Sequence, residues 1–108
     1  MISSHILDTH LGQPACNILV KLYNHNNKLL AEAYTNDDGR ILASDFSLTH
    51  LQEGQYSLEF LTQPYYENLQ LETFYPKVMI HFFIKNPQDH YHIPLLISPF
   101  AYSSYKGS

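Results

Sequence analysis

Tryptophan is absent, cysteine occurs once, glycine four times, and Lys and Arg together number six in 108 residues. Each scarcity removes a class of protein. The single Cys16 excludes an intramolecular disulfide, so the fold must rest on packing, which suits a reducing compartment. Six scattered basic residues, against ten acidic ones and a net charge of −4, lack the clustered positive footprint that nucleic-acid binding requires. No apolar stretch approaches the roughly 18 residues of a membrane helix. Met1-Ile2-Ser3 leads straight into a strand pattern with no basic segment, apolar run or cleavage site of a signal peptide. The final residues are not the Ser-Lys-Leu address of peroxisomes. The expected location is therefore cytoplasmic, without a nucleic-acid or membrane partner. Four glycines form no phosphate-cradling loop.

What is present is aromatic and alternating. Nine Tyr and six Phe, with 44% hydrophobic residues, favour strands, where such side chains pack on a pleated surface. The length is that of one domain, residues 1–108, able to bury roughly 65% of its unfolded surface. Ser3 to Thr9 alternates as a first strand, with Ser4, Ile6 and Asp8 on one face and Ser3, His5 and Leu7 on the other. Cys16 to Asn24 reads as a second, His25 to Lys28 as a hairpin turn, and Lys28 to Thr35 as the returning strand. Asn36-Asp37-Asp38-Gly39 is a turn, with Arg40 opening an extended piece that runs through Ile41 to Ser44. Tyr56 to Leu61 and Val78 to Ile84 alternate cleanly, and Pro64 sets up one short helix, Tyr65 to Leu71. About eight short strands separated by turn signals describe a sandwich of two antiparallel sheets.

The last nineteen residues, HYHIPLLISPFAYSSYKGS, form the most purposeful stretch. His90 to Ile97 reads as a strand carrying His90, His92, Pro94 and Leu96 on one face. Pro94 removes a ladder donor and so demands an edge, a bulge or an unpaired position. Ser98-Pro99 bends the chain into a second extended run, Phe100 to Tyr105, after which Gly107 permits a sharp path to Ser108. From spacing alone, His92 and His5 read as structural strand histidines and Arg40 as a solvated turn residue. His90, His92 and His5 have strand spacing compatible with a metal, but no carboxylate or thiol is placed to finish a coordination sphere, so no metal is expected. The Asn36 to Gly39 turn lacks the spacing and closing glutamate of a calcium loop.

Two motifs change these assignments. His92-Ile93-Pro94-Leu95-Leu96 with Ser98-Pro99 and Tyr105-Lys106-Gly107-Ser108, together with Ser4-His5-Ile6-Leu7-Asp8-Thr9 and Gly12-Gln13-Pro14-Ala15, resemble the signatures of the 5-hydroxyisourate hydrolases, the transthyretin-like enzymes of purine degradation. The resemblance runs from residue 3 to residue 108. It implies an all-β, transthyretin-like sandwich of two antiparallel four-stranded sheets with one short helix. It also implies a homotetramer with sites in a channel at the dimer–dimer interface, and no metal or organic cofactor. By the same resemblance His5, Arg40, His92 and Ser108 are the catalytic residues, and His5, Arg40, Tyr105 and Ser108 contact substrate. His90 is a surface or supporting residue.

The implied reaction opens the ring of 5-hydroxyisourate with water, giving 2-oxo-4-hydroxy-4-carboxy-5-ureidoimidazoline. It needs a base, a stabiliser of the developing oxyanion and an acid. His92 and His5 suit proton transfer, Arg40 anchoring and oxyanion stabilisation, and Ser108 the positioning of water or substrate. One residue departs from the pattern: the family ends Tyr-Arg-Gly-Ser, whereas Lys106 here keeps the charge without the planar donor fork. Transthyretin itself is a carrier on the same fold, so the fold alone does not separate enzyme from carrier. His5, Arg40, His92 and the terminal tetrapeptide are the residues that favour the enzyme.

Overall fold

Strand β1 (Ile2–Asp8) sets the geometry of everything that follows. Its alternation buries Ile2, Ser4, Ile6 and Asp8 and turns Ser3, His5 and Leu7 to the opposite face. The computed structural model describes residues 1–48 and 50–108. Around β1 the described residues build β2 (Gln13–Pro14), β3 (Leu19–Asn24), β4 (Leu29–Tyr34), β5 (Arg40–Ile41), α1 (Ala43–Phe46) and β6 (Gly54–Leu61). They continue with α2 (Gln63–Asn68), β7 (Val78–Ile84), β8 (Tyr91–Ser98) and β9 (Ala101–Ser104).

Two sheets face each other. One has the order β2-β1-β8-β9, with β5 also paired to β1; the other runs β4-β3-β6-β7. Ile6, Leu95 and Ile97 of the first sheet and Val20, Leu22, Leu58 and Phe60 of the second belong to one buried cluster, each at most 2% exposed. This is the expected sandwich, mostly strand with little helix. Among the described residues the Tyr66 hydroxyl is the one buried side-chain polar atom without a hydrogen-bond partner, and others tie the fold together. Asp8 accepts backbone N–H bonds from His10 and Leu11 at 2.8 and 3.0 Å and the Tyr65 hydroxyl at 2.6 Å, tying α2 to the end of β1. Thr35 Oγ1 donates to the Ala15 carbonyl at 2.8 Å and accepts from the Ile18 N–H at 3.0 Å, closing the link that leads into β3.

Local details differ from the sequence pattern, each for a physical reason. The first sheet is mixed: β1 and β8 run parallel, Ser3 opposite His92 and His5 opposite Pro94. Alternation is the same for either direction, and the whole chain between the two strands is available as crossover. The extended piece stops at Ile41, because Asp45 accepts the Leu42 N–H at 2.7 Å and starts the helical turn α1, so two short helices are present rather than one. The second helix spans Gln63–Asn68 rather than 65 to 71. The strand expected from Cys16 begins at Leu19, since Asn17 takes a φ of 61°. Pro94 sits where its pattern required. Pairing of β8 with β9 ends at Leu95 opposite Ser104, and Ser104 donates its hydroxyl to the Pro94 carbonyl at 2.7 Å.

Candidate active site

The outer face of the mixed sheet collects the candidate residues, and the local sequence explains how each arrives. Asn36 accepts the N–H groups of Asp38 and Arg40 through Oδ1 at 2.9 and 3.0 Å, shaping the turn before β5. Gly39 lies at φ +72°, and a Cβ there would sit 2.5 Å from the Ile6 carbonyl oxygen, so only glycine lets this turn press against β1. Arg40 is thereby set opposite His5 in the β1–β5 ladder. Side chains so paired have Cβ atoms roughly 4.5–5.5 Å apart.

On the other side of β1, β8 brings His92 beside Ser3 and Pro94 beside His5. The tail then folds back: the Gly107 N–H donates to the His92 carbonyl at 2.9 Å. A Cβ on Gly107 would lie 2.6 Å from His92 Cδ2, so the tail passes flat against the imidazole only because this residue is glycine. Ser108 is delivered to a cavity of about 270 Å³ lined by Arg40, His90, His92, Ser3, Ser4 and the apolar wall of Ile41, Leu42 and Ala43.

Four of the sequence-derived positions thus share one face. Arg40, His92 and Ser108 line the cavity, and His5 sits one ladder position away, flanked by Arg40 and Pro94. The Tyr105 side chain is 62% exposed and does not line it. Lys106 points elsewhere, its ammonium 6.0 Å from the centre of the Tyr91 ring. A larger depression of about 400 Å³ lies on that side of the tail and shares His92, with Tyr91, Lys106, Lys85 and Phe82 among its walls. A depression of about 440 Å³ beside Met1 and α1 holds none of the candidate residues. Chemistry, rather than volume, selects the smaller cavity.

Ser3 is the residue that the motifs did not single out. Its Oγ lies 2.7 Å from His90 Nε2 and 2.8 Å from His92 Nδ1, while its side chain is nearly buried. Period two had already placed it on the face of His5; what the sequence could not supply was the partner strand. With Nδ1 engaged by Ser3, Nε2 is the ring nitrogen of His92 left for another partner. Burial, and then the neighbouring Arg40, His5 and His90, hold the His92 imidazole below the ordinary histidine value, which favours its neutral form. Among the described residues no group of three or more His, Cys, Asp or Glu side chains is placed to share a metal ion. No helix of the described residues is long and apolar enough to cross a membrane.

A neutral imidazole, a guanidinium and a hydroxyl around one small opening can activate water, hold an anion and orient a planar polar molecule. Known proteins share this architecture. A probable 5-hydroxyisourate hydrolase of Caenorhabditis elegans is 40% identical over 99% of this chain and 80% of its own. The structure of Klebsiella pneumoniae 5-hydroxyisourate hydrolase superimposes with a TM-score of 0.88 at 36% identity, covering 99% of this chain and 98% of that one. Transthyretin from Sparus aurata superimposes with a TM-score of 0.87 at 26% identity, covering 98% and 95%. Residues 2–107 match the HIUase/Transthyretin family as a whole, and with that match over nearly the full chain the protein belongs to this family.

Proposed function

We propose that this protein hydrolyses 5-hydroxyisourate to 2-oxo-4-hydroxy-4-carboxy-5-ureidoimidazoline, a step of urate degradation. The observation that carries the reading is the convergence of Arg40, His92 and Ser108 on one cavity, with His5 next to Arg40 in the ladder. The product defines the chemistry. A ring carbonyl becomes a carboxylate and its nitrogen becomes ureido, so water adds to that carbonyl and the carbon–nitrogen bond breaks.

His92 Nε2 takes a proton from water as the oxygen attacks, since its depressed proton affinity keeps it unprotonated at neutral pH. Arg40 holds the carbonyl oxygen as negative charge develops on it. A proton returned by His92 or His5 goes to the departing nitrogen, and the Ser108 hydroxyl positions water or substrate. Tyr105 reaches substrate only as part of the tail or from an assembled neighbour, because its side chain leaves the cavity. No metal or organic cofactor enters these steps.

The functional unit in this reading is a homotetramer with sites at the dimer–dimer interface. Two edge strands support it. Among the described residues β7 and β9 each form the edge of their sheet, and Phe83 on β7 and Phe100 just before β9 are each 65% exposed. Exposed aromatic side chains at open edges suit burial between copies. A single cysteine, Cys16, with no partner in the chain agrees with a cytoplasmic setting.

A small-ligand carrier is the second reading, favoured by the likeness to Sparus aurata transthyretin. It leaves the gathering of His92, Arg40 and Ser108 without a role. The test is the decay of freshly generated 5-hydroxyisourate followed by absorbance, with the parent, with His92→Ala and with buffer, since the compound also decays unaided. Acceleration by the parent and its loss in His92→Ala are expected. A folded parent that leaves the decay at the buffer rate overturns the enzyme reading and makes channel binding the next measurement.

A further inference from the structure

We propose that His90, Ser3 and His92 form a proton relay in which Ser3 passes a proton from the catalytic imidazole to an exposed one. The inference rests on the hydrolase reading and assigns a role to two residues outside its catalytic set. Ser3 Oγ lies within hydrogen-bond distance of both rings, 2.7 Å from His90 Nε2 and 2.8 Å from His92 Nδ1. A serine hydroxyl has one proton to donate and can accept another. Two arrangements follow. When Ser3 donates to His90, His92 Nδ1–H donates to Ser3, and His92 Nε2 is bare and basic. When His90 Nε2–H donates to Ser3, Ser3 donates to His92 Nδ1, and His92 Nε2 carries a hydrogen and is acidic.

Movement of the protons along this line interconverts the two arrangements and balances over the reaction. Water gives a proton to His92 Nε2 as its oxygen bonds to the carbonyl carbon. His92 Nδ1–H passes to Ser3 Oγ, and the original Ser3 proton passes to His90 Nε2, leaving the positive charge on His90. The carbon–nitrogen bond then breaks, with the nitrogen taking the proton from His92 Nε2. The two internal transfers run backward and restore the starting state. The second proton of water leaves with the carboxylic acid to solvent.

The surroundings give this movement a direction. His92 is partly buried and faces Arg40 from β5 and His5 from β1, with His90 just before its own strand and Ser108 of the tail in the same cavity. A lasting cation there is opposed by Arg40 and by lost hydration. His90 is exposed just before β8, where water solvates an imidazolium. The relay lets His92 act as a base without holding the charge itself. Ser3 and His90 are positioning residues in this scheme, since neither needs to touch substrate.

The experiment compares the parent with Ser3→Ala, Ser3→Thr and His90→Gln in the 5-hydroxyisourate assay, with circular dichroism to establish folding. His90→Gln keeps a hydrogen-bonding group at an exposed site but accepts no proton at neutral pH. Ser3→Ala and His90→Gln are expected to lower kcat by about tenfold or more with KM unchanged, within the range of a lost proton-transfer group. The double variant should be no worse than either single one, and Ser3→Thr should recover most of the rate. In mixtures of light and heavy water the parent kcat should curve with deuterium content, as expected for several protons in flight, and His90→Gln should give a straight line. An active parent whose folded Ser3→Ala and His90→Gln variants keep its kcat and its curvature overturns the relay alone. A parent that does not accelerate the decay overturns the hydrolase reading and the relay with it.

Discussion

At the scale of single residues, the site is governed by what surrounds one imidazole. The proton affinity of His92 is depressed by burial and then by Arg40, His5 and His90. A histidine with a lowered value stays neutral to lower pH, so its basic form is present above that value and is lost as pH falls through it. The acid limb of kcat/KM is therefore expected below the ordinary histidine value of 6.5, measured as a pH profile corrected for spontaneous decay. Arg40→Gln should move that limb upward, and should also lower kcat by about 100-fold or more if Arg40 meets the oxyanion. A limb that stays in place would show that Arg40 does not act on His92. Gly107 supplies a second test. Its missing Cβ would fall 2.6 Å from His92 Cδ2, so Gly107→Ala must shift the ring or the tail. A displacement of that kind is expected to reduce kcat/KM by about 10- to 100-fold while thermal unfolding changes little, because the tail carries little of the core. The glycine itself was legible in the terminal motif. Its reason was not, since nothing near it in sequence reveals that an imidazole lies beneath.

At the scale of elements, the turn before β5 and the link before β3 are held by side chains that sequence marks only as polar. Thr35 is 2% exposed and serves both the Ala15 carbonyl and the Ile18 N–H. Thr35→Val keeps the shape and removes both bonds, leaving two buried backbone groups unpaired. A loss of about 2–4 kcal/mol in urea unfolding is expected, with hydrolysis by the folded fraction near that of the parent. A change under about 0.5 kcal/mol, the size of an ordinary surface substitution, would show that neither bond supports the link. The strands were readable for a simple reason: Val78 to Ile84 and Tyr56 to Leu61 alternate, and alternation is a local property. The helical turn at Ala43–Phe46 was not, because Ile41 to Ser44 looks extended until Asp45 is seen to accept the Leu42 N–H.

At the scale of the molecule, the edge strands β7 and β9 carry exposed aromatic side chains, Phe83 on β7 and Phe100 just before β9. Assembly through them predicts a particle larger than a monomer in analytical ultracentrifugation at micromolar concentration. Phe83→Lys, which puts a charge beside the β7 edge, is expected to reduce the assembled fraction without unfolding the protomer. A parent that sediments as a monomer at those concentrations would remove the interface from the description of the site. Tyr105 belongs to the same question, since a side chain 62% exposed in one protomer reaches substrate only through the tail's movement or from another copy.

The sequence alone determined the local features and, through its two terminal motifs, the family. Period-two runs placed the strands and their inward faces. Asn36 to Gly39 specified a turn, and Pro94 demanded an edge, a bulge or an unpaired position, which it finds on the β9 side of β8. Each is a consequence of neighbouring residues and the geometry of the backbone. The resemblance named His5, His92 and Ser108 through the two motifs and Arg40 through the Asp38-Gly39 turn before it, all of which spacing by itself left as ordinary strand, turn and tail residues. Tertiary structure decided that β1 and β8 lie side by side and parallel, and hence that Ser3 meets His92 from 89 positions away. Alternation is blind to strand direction and partner, because the same face is buried whichever strand lies alongside. The choice is made by packing between segments distant in the chain, and it is that choice that turns an unremarked serine into the link between two imidazoles.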